Sequence, residues 1–115
     1  MSDEISIERV LDYAFKKAQS ATGEYLSENG DNWYPCGFAW VTVRPGNSKL
    51  ARVLQKQYGA GKAYGGGVQV WNPSGYMTQQ MDAKYAGAKA FAETVNQLLG
   101  PDMPKVRVYA ECRMD

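Results

Sequence analysis

Between Asn32 and Gly67 the chain carries Arg44, Lys49, Arg52, Lys56 and Lys62 and no aspartate or glutamate. The same stretch holds six aromatic residues, Trp33, Tyr34, Phe38, Trp40, Tyr58 and Tyr64, together with seven glycines. Cations neutralise phosphate, aromatic faces stack on planar groups, and glycines leave backbone N–H groups open to an anion. These are materials for binding a phosphorylated or planar anionic ligand. They specify no reaction.

The residue types that most catalysis needs are missing. There is no histidine, so the commonest general base and metal ligand is absent. Cys36 and Cys112 stand too far apart in sequence to read as a zinc site. No nucleophile elbow, Walker loop or dinucleotide fingerprint occurs, and Gly61-Lys62 is followed by Ala63 where a P-loop needs Ser or Thr. The expectation is a non-catalytic protein without metal or cofactor. A small enzyme acting on a phosphorylated substrate through Asp82, Lys84, tyrosines and arginines stays as an alternative, with nothing that selects it.

The elements that must position these residues follow from periodicity. Ile7, Val10, Leu11, Ala14, Phe15 and Ala18 recur at helical spacing, with Ser6 as N-cap and Gly23 as the expected stop. Residues 24–32 read as a polar loop. A strand over Gly37–Arg44 has Phe38, Trp40 and Thr42 on one face and Ala39, Val41 and Val43 on the other, which predicts cover on both sides. Pro45-Gly46 ends it. Asn47 or Ser48 caps a second helix reaching Tyr58, with Lys49, Arg52 and Lys56 on its outer ridge. Residues 59–67 read as a flexible glycine-rich connector. A short strand from Val68 to Asn72 runs into the Asn72-Pro73-Ser74-Gly75 turn. A third helix starts between Thr78 and Asp82 and ends at Leu99, with Tyr85, Ala88, Phe91, Ala92, Val95, Leu98 and Leu99 inward and a flank of Ala83, Gly87 and Ala90. The last strand alternates Val106, Val108, Ala110 and Cys112 with Arg107, Tyr109, Glu111 and Arg113.

The expected fold is therefore one α+β domain over residues 1–115: a three-stranded sheet with helices packed on it, in the order α-β-α-β-α-β, with strand directions open. A sheet that small leaves two edges, which predicts a homo-oligomer. No apolar run spans a bilayer and no basic-then-apolar leader opens the chain, so the expected location is the cytoplasm, with no membrane partner. Both cysteines are then expected reduced and in the core. Net charge is +1, but residues 1–31 stand at −4 and residues 32–67 at +5. The acidic first helix could therefore neutralise the basic middle as easily as leave it to a ligand. With so small a net charge and so short a basic ridge, nucleic acid is a disfavoured partner.

The candidate ligand-binding residues are Trp40, Arg44, Lys49, Lys62, Tyr64, Trp71, Tyr76, Gln80, Lys84 and Arg113. Arg44, Lys49 and Lys62 would neutralise phosphates from a strand end, a helix start and the connector. For Arg44 the alternative is a salt bridge to the acidic helix. Tyr64 and Tyr76 flank glycine-rich loops and would stack; the size of tryptophan assigns Trp40 and Trp71 to the core first, with Trp71 also able to stack a base. Gln80 and Lys84 would read polar edges, while Asp82 reads as a charge favourable to the helix dipole. Arg113, next to the last residue but one, would make a specific contact.

Several segments taken together resemble a group of small tailed-phage proteins of unknown function. These are Trp33-Tyr34-Pro35-Cys36-Gly37-Phe38-Ala39-Trp40, Gly65-Gly66-Gly67 leading to Trp71-Asn72-Pro73, Gln80-Met81-Asp82-Ala83-Lys84 with Ala86-Gly87-Ala88-Lys89-Ala90-Phe91-Ala92, and Arg113-Met114-Asp115. The likeness covers about residues 32–115 and leaves out the first helix; residues 101–105 form a longer linker than the group's pattern. No catalytic residue carries over. The resemblance implies a phage accessory protein in the bacterial host cytoplasm. Proteins of that kind often counter host defence by trapping a nucleotide immune signal or by binding a host protein. The combined expectation is a protein that sequesters a nucleotide-like anionic small molecule. The alternative is a protein-binding inhibitor of a host defence complex, using a sheet edge and the basic ridge.

Overall fold

A computed structural model describes residues 3–30, 36–63 and 65–114. Tyr64 and the segment containing Trp33, Tyr34 and Pro35 lie outside the described residues, as does Asp115. The elements are α1 (Asp3–Asn29), β1 (Gly37–Arg44), α2 (Lys49–Tyr58), β2 (Gly61–Lys62), β3 (Val68–Trp71), α3 (Met81–Leu99), a 3-10 turn at Gly100–Asp102, and β4 (Arg107–Met114). The class is α+β, and the sheet is antiparallel throughout in the order β2-β3-β1-β4.

Among the described residues four strands stand where three were expected. The extra one, β2, comes from the glycine-rich connector, where Gly61 pairs with Gln69 and Lys62 with Val68. Gly65, Gly66 and Gly67 all take positive φ, closing a hairpin in which Ala63 N–H donates to the Gly67 carbonyl at 3.0 Å. Gly67 also lies against β1, where a Cβ would stand 2.6 Å from the Val43 carbonyl oxygen. The connector is thus a fitted turn, held by its own backbone.

The first helix begins at Asp3, ahead of the expected Ser6 cap, and runs through Gly23 to Asn29. Gly23 marks a close approach: a Cβ there would meet the Tyr76 hydroxyl at 2.5 Å. The stop is Gly30, with φ 78 and an N–H bonded to the Leu26 carbonyl at 2.8 Å. The second helix follows its sequence signals. Ser48 Oγ accepts from the Ala51 N–H at 3.2 Å, and Gly59 closes the helix with φ 70.

Helix α3 lies on β1 and β4, α2 on β3 and β1, and α1 packs on α3 and α2. The small flank of α3 does what its composition suggested. Thr22 Oγ1 donates to the Ala83 carbonyl at 2.7 Å, and a Cβ on Gly87 would meet Thr22 Oγ1 at 2.5 Å. One cluster joins Ile7, Leu11, Leu50, Leu54, Phe91 and Val95 to the strand residues Ala39, Val41, Val43, Val68, Val70 and Val108. Leu98, expected inside, is 48% exposed. All of the cluster's strand residues belong to one face of the sheet.

The other face is uncovered among the described residues, which corrects the expectation of helices on both sides of β1. Phe38, Trp71, Arg107 and Arg113 are exposed there. Two further expectations change with it. Trp40 is half-buried and Trp71 is 52% exposed, so neither is a core residue. Cys112 is exposed near the end of the edge strand β4, and Cys36 is half-buried. The cysteines therefore are not core fillers. Among the described residues no helix is long and apolar enough to cross a membrane.

Candidate functional site: the open sheet face

Antiparallel register sorts the side chains of the open face into rows. Trp40 on β1 pairs with Trp71 on β3 and with Glu111 on β4. The next row is Gln69, Thr42 and Tyr109, followed by Arg44 opposite Arg107. On the other side of the tryptophan row, Phe38 stands opposite Arg113. Neighbouring strands are about 4.8 Å apart, so these groups are in mutual reach.

The tryptophan rings lie against each other, tilted by 34° with centroids 4.8 Å apart, and Phe38 meets Trp71 edge-on at 6.1 Å. Lys84, from the first turn of α3, brings its Nζ to 5.4 Å from the Phe38 ring centroid. A cation over an aromatic face is held by the ring quadrupole while its charge stays available. Trp71 Nε1 donates to Gln69 Oε1 at 3.2 Å. Beside them Glu111 Oε2 accepts from Trp40 Nε1 at 2.9 Å and from Thr42 Oγ1 at 2.6 Å. Thr42 belongs to this face yet is fully buried, with its hydroxyl bonded to Glu111.

Arg44 serves the frame of this site. Its Nε donates to the Tyr109 hydroxyl at 2.8 Å, and its Nη1 donates to the carbonyls of Gly65 and Gly66 at 2.9 and 2.6 Å. The guanidinium ties the β2–β3 hairpin to the opposite edge of the sheet. It brings positive charge to the face with much of its hydrogen-bonding capacity already engaged.

Of the candidates read from sequence, the structure gathers Trp40, Trp71, Arg44, Arg113 and Lys84 around this face. Tyr64 lies outside the described residues, and the other four lie elsewhere. Lys49 stands on α2. Lys62 pairs with Val68, whose side chain is on the helix-covered face, so Lys62 points away from the tryptophans. Tyr76 packs its hydroxyl towards Gly23 of α1. Gln80 precedes α3 and is only 4% exposed, its Oε1 without a partner among the described residues.

Sequence reasoning passed over Glu111, Thr42, Tyr109 and Phe38 as site residues. The alternation of β4 did put Glu111 on the polar side. That it accepts the Trp40 indole N–H depends on a pairing 71 residues apart in the chain.

A second basic region exists. Lys49, Arg52 and Lys56, with Val53 and Gln57, line a concavity of about 460 Å³ along α2. None of these lining residues is aromatic, so this ridge offers charge without stacking. Among the described residues no cluster of three or more Cys, Asp or Glu could hold a metal ion. Compared with family models, curated proteins and solved structures, the chain matches none.

Proposed function

We propose that this protein binds and sequesters a nucleotide-like anionic small molecule on the open face of its sheet, without turning it over. The observation that carries the reading is Trp71, 52% exposed and in tilted ring contact with Trp40 at 4.8 Å, on a face rimmed by Arg107, Arg113 and Lys84. A large aromatic surface left open beside cations suits a planar base with phosphate attached. Stacking of one base on such a ring is worth about 1–3 kcal/mol. Arg113 and Lys84 would neutralise the phosphate, with Arg107 at the far end. That shifts the phosphate contacts away from Lys49 and Lys62.

The setting proposed for this activity rests on the sequence resemblance. It is that of a phage accessory protein in the host cytoplasm, trapping a nucleotide signal of host immunity. Homo-oligomer formation belongs to the same proposal, since β4 is an eight-residue strand at one edge of the sheet. That edge also favours the second reading, a protein-binding inhibitor of a host defence complex that adds a strand to β4.

The test is a thermal-shift screen against linear and cyclic nucleotides, with recovery of the bound molecule after denaturation. Sequestration requires a melting shift and an unaltered ligand. A chemically altered ligand would replace it with catalysis. Absence of any nucleotide shift, together with co-purification of a host protein, would replace it with the inhibitor. Affinity for single-stranded nucleic acid falling steeply with salt would point to a polymer as the ligand.

A further inference from the structure

Among the described residues the open face holds one acidic group beside its cations, and that group is built in place. Glu111 Oε2 takes hydrogen bonds from both Trp40 Nε1 and Thr42 Oγ1, at 2.9 and 2.6 Å. Those two donors fix the carboxylate in position and orientation. Its other oxygen, Oε1, has no hydrogen-bond partner among the described residues and is not enclosed by the protein. A neutral acceptor would satisfy the same two donors, though with weaker bonds. A negative charge in that position works against phosphate and favours a group that donates to its second oxygen.

We infer that Glu111 reads the base of the bound nucleotide and that the base is guanine. The inference rests on the sheet-face reading above. A carboxylate accepts and never donates. Guanine alone among the common bases offers two adjacent N–H donors, N1–H and the N2 amino group, on one edge. Adenine and cytosine set an acceptor nitrogen beside their amino group, which the carboxylate repels. Uracil sets a carbonyl on each side of its single N–H.

The layout matches a guanine nucleotide in its remaining parts. Trp40, whose indole N–H holds Glu111, lies against Trp71, so a base with its edge at Oε1 lies beside the exposed aromatic surface of Trp71. Arg113 follows two residues along the same face of β4, about 7 Å away at strand spacing, where the sugar's phosphate can meet it. The ligand then finds an acceptor at its base and cations at its phosphate. A site built around a hydrogen bond to the base discriminates strongly, because the wrong base leaves a desolvated acceptor unpaired.

Isothermal titration of the full chain with four nucleoside monophosphates tests this. Guanosine monophosphate should bind tightest. Inosine monophosphate, which lacks the N2 amino group, should bind about ten-fold more weakly, and the 1-methylguanosine and adenosine forms about ten- to a hundred-fold more weakly. Glu111→Gln keeps an acceptor for Trp40 and Thr42 but presents an amide; it should bring the four ligands within about three-fold of each other. Should that variant fail to fold, the methylated and deaminated ligands on the unaltered protein still decide the question. Equal affinities across the series would overturn the guanine assignment and leave sheet-face stacking standing. Preference for adenosine monophosphate would overturn it equally. No binding of any nucleotide would overturn both.

Discussion

On the helix-covered face of the sheet, Ala39, Val41, Val43, Val68, Val70 and Val108 are small or β-branched, buried, and joined to one cluster with three helices. On the other face, the alternate residues of the same strands are Phe38, Trp40, Trp71, Thr42, Tyr109, Glu111 and three arginines, several of them exposed. The first set does one thing, which is to exclude water. The second set is organised by hydrogen bonds and ring contacts that fix polar groups at the surface. The two indole N–H groups, the Thr42 and Tyr109 hydroxyls and the Arg44 guanidinium find partners there, while Phe38 and Trp71 stay exposed. A sheet needs only one covered face to fold. Large aromatics kept on the uncovered face mark it as a surface for something else.

The sharpest way to break this contrast is a pair of truncations, one on each side. Phe91→Ala empties a site that is fully buried in the cluster. It should cost about 3–5 kcal/mol in urea denaturation while the folded fraction keeps its ligand affinity. Trp71→Ala should do the opposite, costing about 0.5–1.5 kcal/mol of stability through lost ring contacts and removing ligand binding. If both variants lost stability alike, the open face would be part of the core.

Gly87→Ala extends the contrast to the packing of α1 on α3. The new Cβ would stand 2.5 Å from Thr22 Oγ1 and 3.0 Å from the Ala18 carbonyl oxygen. Separation of the two helices should cost about 1–3 kcal/mol and leave binding on the far side of the sheet unchanged. Arg44→Ala tests the frame between hairpin and sheet. Losing bonds to Tyr109, Gly65 and Gly66 should cost about 1–2 kcal/mol, visible as a lowered Tm, with a smaller loss of affinity than Trp71→Ala. An unchanged Tm would return Arg44 to the role of a solvent-facing phosphate ligand.

The smallest effect belongs to Tyr58, on the helix side. Its hydroxyl donates to Asp12 Oδ1 at 2.8 Å, and its ring stacks on Phe15. Its pKa is pushed from 10.0 up to about 12, first by burial, then by the hydrogen bond to Asp12 and the charges of Asp12 and Glu8. Since the folded value is the higher one, this contribution is complete below pH 10 and is lost as pH rises from 10 through about 12. Denaturation midpoints across that window should fall less steeply in Tyr58→Phe than in the native chain. Parallel slopes would show that the hydroxyl is no better held in the folded state than in the unfolded one.

How far the sequence reveals this molecule depends on whether a residue's meaning is local. Helix α2 is legible because Ser48, the Pro45-Gly46 break and Gly59 act within a few residues of themselves. Gly23 misleads, because its reason for being glycine is Tyr76, more than fifty residues away. Trp40 and Trp71 read as core by size alone; only the placement of α1, α2 and α3 on the opposite side of the sheet leaves them outside it. The cations of the basic middle are plain in composition, yet the structure divides them among the sheet, the α2 ridge and the hairpin edge. Glu111 could not be singled out until strand register put it against Trp40.

The central claim is that the ligand lies on the tryptophans of the open face and not on the basic ridge. Titration of one nucleotide that shifts the native Tm into two variants tests it directly: Trp71→Ala, and a triple variant with Lys49, Arg52 and Lys56 each changed to Ala. Trp71→Ala should weaken affinity by about ten-fold or more, and the triple variant should stay within about three-fold of the native chain. Full affinity in Trp71→Ala together with loss in the triple variant would contradict the account and move the site to α2.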